Sequence, residues 1–373
     1  MTTMKHIDEY RDARKARQII DEIRSTLTRR WVLMEVCGGQ THSLLRNGIA
    51  QELQDDLELI HGPGCPVCVT PAAAIDHAQA IAEQPGTTLV SFGDMLRVPG
   101  STRSLLDATR SGASTKVVYS PLDAVQLARD NPDEQFVFFA VGFETTVPAT
   151  ALAVLQAHEL GLSNFSLLAA HVCVLPAMKA ILESPDNRVQ GFLAAGHVCA
   201  VTGFDRYHDL ANQSQTPIVV TGFEPLDLLT GILDCATQLE SGQHRVENRY
   251  ARAVSETGNV DAQAIVDRVF TVSSRPWRGL GVIPAGGLVL RPEWSQFDAS
   301  LRFRELSEPF GDNAADDCQC RATDVLTGRI RPSECAAFGE SCRPESPLGA
   351  PMVSTEGACA AYYRFARETP MGT

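Results

Sequence analysis

Between residues 31 and 227, short apolar runs recur roughly every 25 to 30 positions, and most end in glycine with a polar or acidic residue before a helical pattern begins. The runs are WVLMEVCGGQTH, LELIHGPGCPVC, TLVSFGDMLRVPG, KVVYSPLDA, FVFFAVGFETT, FSLLAAHVCVLP, GFLAAGHVCAV and PIVVTGFEPLD. They are apolar throughout rather than alternating, which suits strands buried on both faces of a parallel sheet, spaced as successive βα units. Ahead of them, Ile19, Ile20, Ile23 and Leu27 fall at helical spacing and predict an amphipathic opening helix. After about residue 240 the pattern gives way to polar, arginine-rich sequence such as ENRYARAVSETGNVDA. The expected fold class is therefore α/β. Two similar parallel-sheet α/β domains, 1–115 and 116–238, precede a C-terminal cysteine-rich region, 239–373. The echo of GFETT (142–146) in GFEPL (222–226) suggests that the two halves share a geometry.

In parallel sheets the loops leaving the C-terminal ends of the strands gather along one edge, and ligands bind there. Here those loops carry Cys37, His42, His61, Cys65, Cys68, Asp94, Glu144, Thr145, His171, His197 and Glu224. Glycines that only turn the chain and acids that only cap helices would explain any one loop. The concentration of metal-capable and ionisable side chains over all of them points to a site.

Composition narrows the setting. The chain has 373 residues, 44% of them hydrophobic and 21% charged, as in a soluble globular protein of two or three domains. A net charge of −13 and no strongly basic stretch argue against a nucleic-acid partner. The N-terminus, MTTMKHIDEYRDARKARQII, lacks the apolar core of a signal peptide, and no apolar run is long enough to span a bilayer. A cytoplasmic protein with reduced thiols is expected, without nucleic acid or membrane.

Thiols carry the candidate chemistry. Of eleven cysteines, Cys37, Cys65 and Cys68 lie in glycine-rich turns near the N-terminus, and Cys318, Cys320, Cys335, Cys342 and Cys359 crowd the C-terminal end. In CGGQTH, Cys37 stands between a strand and a helix, with Thr41 a candidate N-cap and His42 near enough to share a ligand. The N–H groups of Gly38, Gly39 and the first helical turn are expected to favour a thiolate. In GPGCPVCVTP, Cys65 and Cys68 form a CxxC that can ligate a metal, cycle between dithiol and disulfide, or pass electrons between a metal and a thiol. Structural zinc, completed by Cys37 with His42 or His61, is the plainer alternative. Cys320, Cys335, Cys342 and Cys359 are separated by fourteen, six and sixteen residues among Gly and Pro. Such gaps can wrap a cubane iron–sulfur cluster, whereas zinc ribbons favour paired CxxC knuckles. Only one of Cys318 and Cys320 is expected to serve that cluster. Cys173, Cys199 and Cys235 stand alone in apolar stretches and are expected to be inert.

Taken together, CGGQTH, HGPGCPVC, FGDMLRVPG, GFETT, GHV, GFEPLD, WRGLG and the ending STEGACAAYY resemble the HypD family of [NiFe]-hydrogenase maturation factors, over essentially the whole chain. The resemblance implies a redox-capable scaffold on which iron acquires carbon monoxide and two cyanides, the Fe(CN)2CO group. It implies a small HypC-type chaperone sharing that iron and a HypE-type protein donating cyanide. It further implies Cys37 as an iron ligand, Cys65 and Cys68 as a redox pair, and a [4Fe–4S] cluster on Cys335, Cys342, Cys359 and a fourth cysteine. That fourth ligand is Cys320 by preference and Cys318 otherwise, because CQCRATDVLTG departs from the family's usual pattern there. In this light Cys37 and His42 would hold the mononuclear iron in transit. Gly38, Gly39 and Gly64 would bring backbone N–H groups to bound cyanide, and Asp94, Glu144 and Glu224 would orient ligands or a partner's lysines. An iron–sulfur-dependent thiol–disulfide oxidoreductase is the rival reading.

Overall fold

Burial on both faces is what the unalternating runs demand, and β5 (Gln135–Gly142) meets it along nearly its whole length. The computed structural model describes residues 8–307 and 320–366. Each of the eight runs forms a parallel strand: β1 (Val32–Glu35), β2 (Glu58–His61), β3 (Thr87–Ser91), β4 (Thr115–Val117), β5, β6 (Phe165–His171), β7 (Gly191–Ala195) and β8 (Ile218–Thr221). Three further strands lie in the polar region: β9 (Val246–Asn248), β10 (Phe270–Trp277) and β11 (Gly281–Leu290).

Two parallel-sheet α/β regions result. One sheet has the order β2-β1-β7-β8-β9 and the other β4-β3-β5-β6, while β10 and β11 pair as an antiparallel hairpin. The sheets do not divide at 115/116. The first takes β1 and β2 from the start of the chain and β7 to β9 from much later, so the second is inserted between β2 and β7. Nor does the first sheet end by residue 238, since β9 pairs with β8. Periodicity identifies a strand but not the sheet it joins. The GFETT echo marks no equivalence either: GFETT leaves β5, the neighbour of β3, whereas GFEPL leaves β8, one strand removed from β1.

The opening helix, Ala13–Thr26, buries Ile20 and Ile23 and is capped by the Asp12 carboxylate, which accepts from the N–H groups of Arg14 and Lys15. It packs on the helix Pro225–Glu240 of the first sheet. The hairpin packs along β6, with a bridge from Val172 to Gly287. From the far end of the chain, the helices Ala350–Val353 and Ala358–Phe365 fold back onto Pro66–Val69 and Gly38–Arg46. Among the described residues, no helix is long and apolar enough to cross a membrane.

Candidate functional site

In the first sheet the chain leaves β1 for β2 on one side, while β7 lies on the other. The crevice between the loops after β1 and β7 is the switch point at which open α/β sheets bind ligands. Cys37 follows β1 and His197 follows β7, and Cys37 Sγ lies 3.6 Å from His197 Nδ1. The imidazole rests against Phe223, which follows β8, at a centroid distance of 5.4 Å. Thus His197 is the histidine beside Cys37. His42 instead packs edge-on against Phe365 of the last helix, 4.7 Å between centroids.

Cys37 itself is the N-cap of the helix Gly38–Arg46, and Thr41 lies inside that helix rather than capping it. The fully buried Glu35 organises this loop from below. Its Oε2 accepts the Cys37 N–H at 2.8 Å, and its Oε1 accepts from the Thr41 hydroxyl and from His61 Nδ1, the latter at 2.6 Å. With its proton on Nδ1, His61 accepts at Nε2 from the Tyr362 hydroxyl, 3.1 Å away. A hydrogen-bonded chain of Cys37, Glu35, His61 and Tyr362 therefore joins β1, β2 and the C-terminal helix.

Burial pushes the Cys37 thiol up to about 12, and the nearby Glu35 and Glu356 add to the rise. The N–H groups of Gln40 and Gly39 act in the opposite direction but are outweighed, so the thiolate expected from the helix start does not form unaided. Desolvation also holds His197 down, to about 4. With both groups neutral, the thiol and the imidazole face each other, and a cation at sulfur would displace the thiol proton.

Cys65 and Cys68 are fully buried and joined by a disulfide. Cys65 caps the short helix Pro66–Val69, its Sγ accepting the Cys68 N–H at 3.2 Å. This loop is locked to Cys37. The Gly38 N–H donates to the Gly64 carbonyl at 2.9 Å, and a Cβ on Gly64 would collide with the backbone N and Cα of Cys37. From the other side, the C-terminal segment closes over Gly38, where a Cβ would strike Glu356.

Cys320, Cys335, Cys342 and Cys359 line one small hollow with Ala322, Val325, Phe338, Leu348 and Met352. Cys318 lies outside the described residues. Burial raises the Cys359 thiol well above its ordinary range, and the charges of Cys320, Cys342 and Cys335 raise it further. The Leu348 N–H donates to Cys342 Sγ at 3.4 Å, and Gly349 leaves space for Cys320 Sγ. Among the described residues, no three His, Cys, Asp or Glu side chains gather closely enough to hold a single metal ion. The four thiols surround a hollow instead, an arrangement that suits a polynuclear group bound by soft donors.

A family model described as "HypD: Hydrogenase formation hypA family" matches residues 14–366. The hydrogenase maturation factor HypD of Escherichia coli K12 is 43% identical over 98% of this chain and 99% of its own length. That of Azotobacter vinelandii is 46% identical, with 98% of each chain covered, and the hydrogenase expression/formation protein HupD of Azotobacter chroococcum matches at the same identity and coverage. The chain belongs to the HypD family.

The acidic residues expected near the site of this HypD-family chain are dispersed. Asp94 pairs with Arg97 at 2.9 Å, and Arg97 also donates to the Val353 carbonyl at 3.0 Å, tying the β3 loop to the C-terminal segment. Asp94 also helps burial raise Glu356, placing it at the rim of the Cys37 crevice. Glu224 pairs with Arg11, with Arg11 Nη2 2.8 Å from Oε1. Glu144 turns to the β6 loop, where its Oε1 accepts the Val174 N–H at 2.9 Å. Cys173, Cys199 and Cys235 are buried, and burial drives all three thiols up, Cys199 to about 12. Sequence reasoning gave no role to Glu35, Glu356 or Tyr362. A carboxylate inside the run WVLMEV was a usable signal for Glu35, and Glu356 and Tyr362 stand within the motif STEGACAAYY, which was read only for its cysteine.

Proposed function

We propose that this chain acts in [NiFe]-hydrogenase maturation as a redox-capable scaffold for assembling the Fe(CN)2CO group. The observation that carries this reading is the convergence of three sulfur-bearing segments on one crevice. Cys37 lies at the switch point, the Cys65–Cys68 disulfide is locked to its backbone, and the four-cysteine region packs behind both. Iron enters as cargo, with Cys37 supplying a soft thiolate suited to low-spin Fe(II) carrying strong-field ligands. A buried neutral thiol must lose its proton to bind, and the incoming cation drives that loss, while His197 Nδ1 lies 3.6 Å from Sγ and the Glu35 carboxylate holds the Cys37 backbone still. Of the glycine N–H groups expected to meet cyanide, that of Gly38 is spent on the Gly64 carbonyl and that of Gly64 on the Gly62 carbonyl, which leaves Gly39 in the turn beside Cys37 for that role.

Two electrons and two protons convert the Cys65–Cys68 disulfide to a dithiol. A [4Fe–4S] cluster on Cys320, Cys335, Cys342 and Cys359 would supply reducing equivalents one electron at a time. The disulfide is buried, whereas Cys320, Cys335 and Cys359 are partly exposed. His197 takes the place expected for His42 beside the iron. A small HypC-type chaperone completes the iron's ligand set and a HypE-type protein delivers cyanide, in the cytoplasm.

Infrared spectroscopy of the anaerobic complex with the small partner tests this. Wild type is expected to show carbon monoxide and cyanide stretching bands, which a Cys37→Ser variant loses while keeping the C-terminal iron and sulfide. Loss of disulfide reduction in that variant, with bands unchanged, would favour the oxidoreductase reading instead.

A further inference from the structure

A second cavity, separate in its lining from the sulfur-lined crevice, lies where the loops after β5 and β6 meet the helix Val260–Val269, the β10–β11 hairpin and the end of the helix Gly196–Thr202. Its volume is about 240 Å³. An engineered cavity of about 150 Å³ accepts benzene, so this one holds a six-membered ring with a few more atoms. Its walls are largely apolar and include Val147, Leu175, Val266 and Leu288. Polar side chains interrupt them, among them the carboxylates of Glu144 and Asp267, the Gln263 amide and the Arg206 guanidinium. Glu144 spends one oxygen on the Val174 N–H. The other, Oε2, is buried without a hydrogen-bond partner among the described residues. A buried acceptor left unpaired costs about 1–3 kcal/mol, so the site lacks a donor. At the lip, Val272 is 56% exposed and Ala285 holds a left-handed backbone at φ 54°, an uncommon conformation for a residue with a Cβ.

We propose that this cavity is a binding site for a small neutral molecule bearing an amide or lactam group on a ring-sized apolar body. The amide N–H supplies the donor that Glu144 Oε2 lacks. Its carbonyl accepts from Arg206, and the ring covers the apolar walls. A carboxylate ligand would set two desolvated anions together, and a plain hydrocarbon would leave Oε2 unpaired. The GFETT loop then serves recognition at this cavity, a role separate from the iron chemistry at Cys37.

Calorimetry and saturation-transfer NMR on the full chain, kept anaerobic and at about pH 8.5 so that the Glu144 carboxyl is ionised, test the assignment with three probes. Benzamide is expected to bind, N,N-dimethylbenzamide about tenfold more weakly for want of a donor, and benzoate not detectably. Glu144→Gln presents an N–H2 group in place of the acceptor and is expected to abolish the preference for benzamide over its dimethyl analogue. Val272→Trp changes a solvent-facing position of the hairpin and is expected to block all three probes while leaving the circular dichroism spectrum intact. Equal binding of all probes, no binding of benzamide, or binding undiminished in a folded Val272→Trp variant would overturn the proposal.

Discussion

Gly64 shows how narrowly the crevice at Cys37 is defined. Any side chain there would drive into the backbone of Cys37 and Val36, atoms that cannot rotate away. Overpacking of this kind costs about 1–3 kcal/mol. Gly64→Ala is therefore expected to lower the urea midpoint and to weaken iron retention at Cys37, while the iron and sulfide content of the C-terminal region stays unchanged. Metal analysis beside denaturation separates these effects. At the same scale, Cys37 and its histidine illustrate what residue identity does and does not disclose. The cysteine was legible from CGGQTH. Its partner was not, because His42 and His197 are equally plausible until the sheet order brings the β7 loop alongside β1. The thiol's acidity was misjudged for a related reason: the N–H groups of the turn are local, whereas burial depends on segments more than a hundred residues away.

Among the elements, the last helix is the one that binds the two ends of the chain. Ala358–Phe365 contributes Cys359 to the four-thiol hollow and the Tyr362 hydroxyl to His61, which holds Glu35 and, through it, the Cys37 backbone. Tyr362→Phe removes that hydroxyl and leaves a buried imidazole nitrogen without its donor, at a cost of about 1–3 kcal/mol. We expect a lower urea midpoint and faster amide exchange in both Ala358–Phe365 and Gly38–Arg46. Exchange accelerated only in the former would show that the hydrogen-bonded chain does not couple the two helices. The strands of this region were legible where they are apolar on both faces. The β10–β11 hairpin was not, since its exposed, alternating face reads like the polar stretch that precedes it. β9 is three residues long and carries too little pattern to register.

For the molecule as a whole, the buried ionisable groups set how stability responds to acid. Burial holds His171 at about 3 and His197 at about 4, below their ordinary 6.5, so the unfolded chain takes up protons that the folded one refuses. Stability from these two is present above pH 6.5 and is lost as the pH falls towards 4. Burial raises Glu144 from 4.5 to about 7, so its contribution runs the other way and is lost as the pH rises through that interval. Two histidines outweigh one glutamate. Unfolding free energies in urea are therefore expected to fall between pH 6.5 and 5.0, and Glu144→Gln is expected to steepen the fall roughly twofold. A shallower slope in the variant would contradict the assignment of Glu144.

The insertion of one sheet inside the other also governs when a functional molecule can first exist. As the ribosome releases the chain, β1 and β2 emerge early but must wait for β7, β8 and β9 before their sheet can close, with the other sheet made in the interval. The cover over Gly38 comes later still, from the segment around Glu356. A nascent polypeptide thus offers Cys37 no finished pocket until the segment around Glu356 has been made.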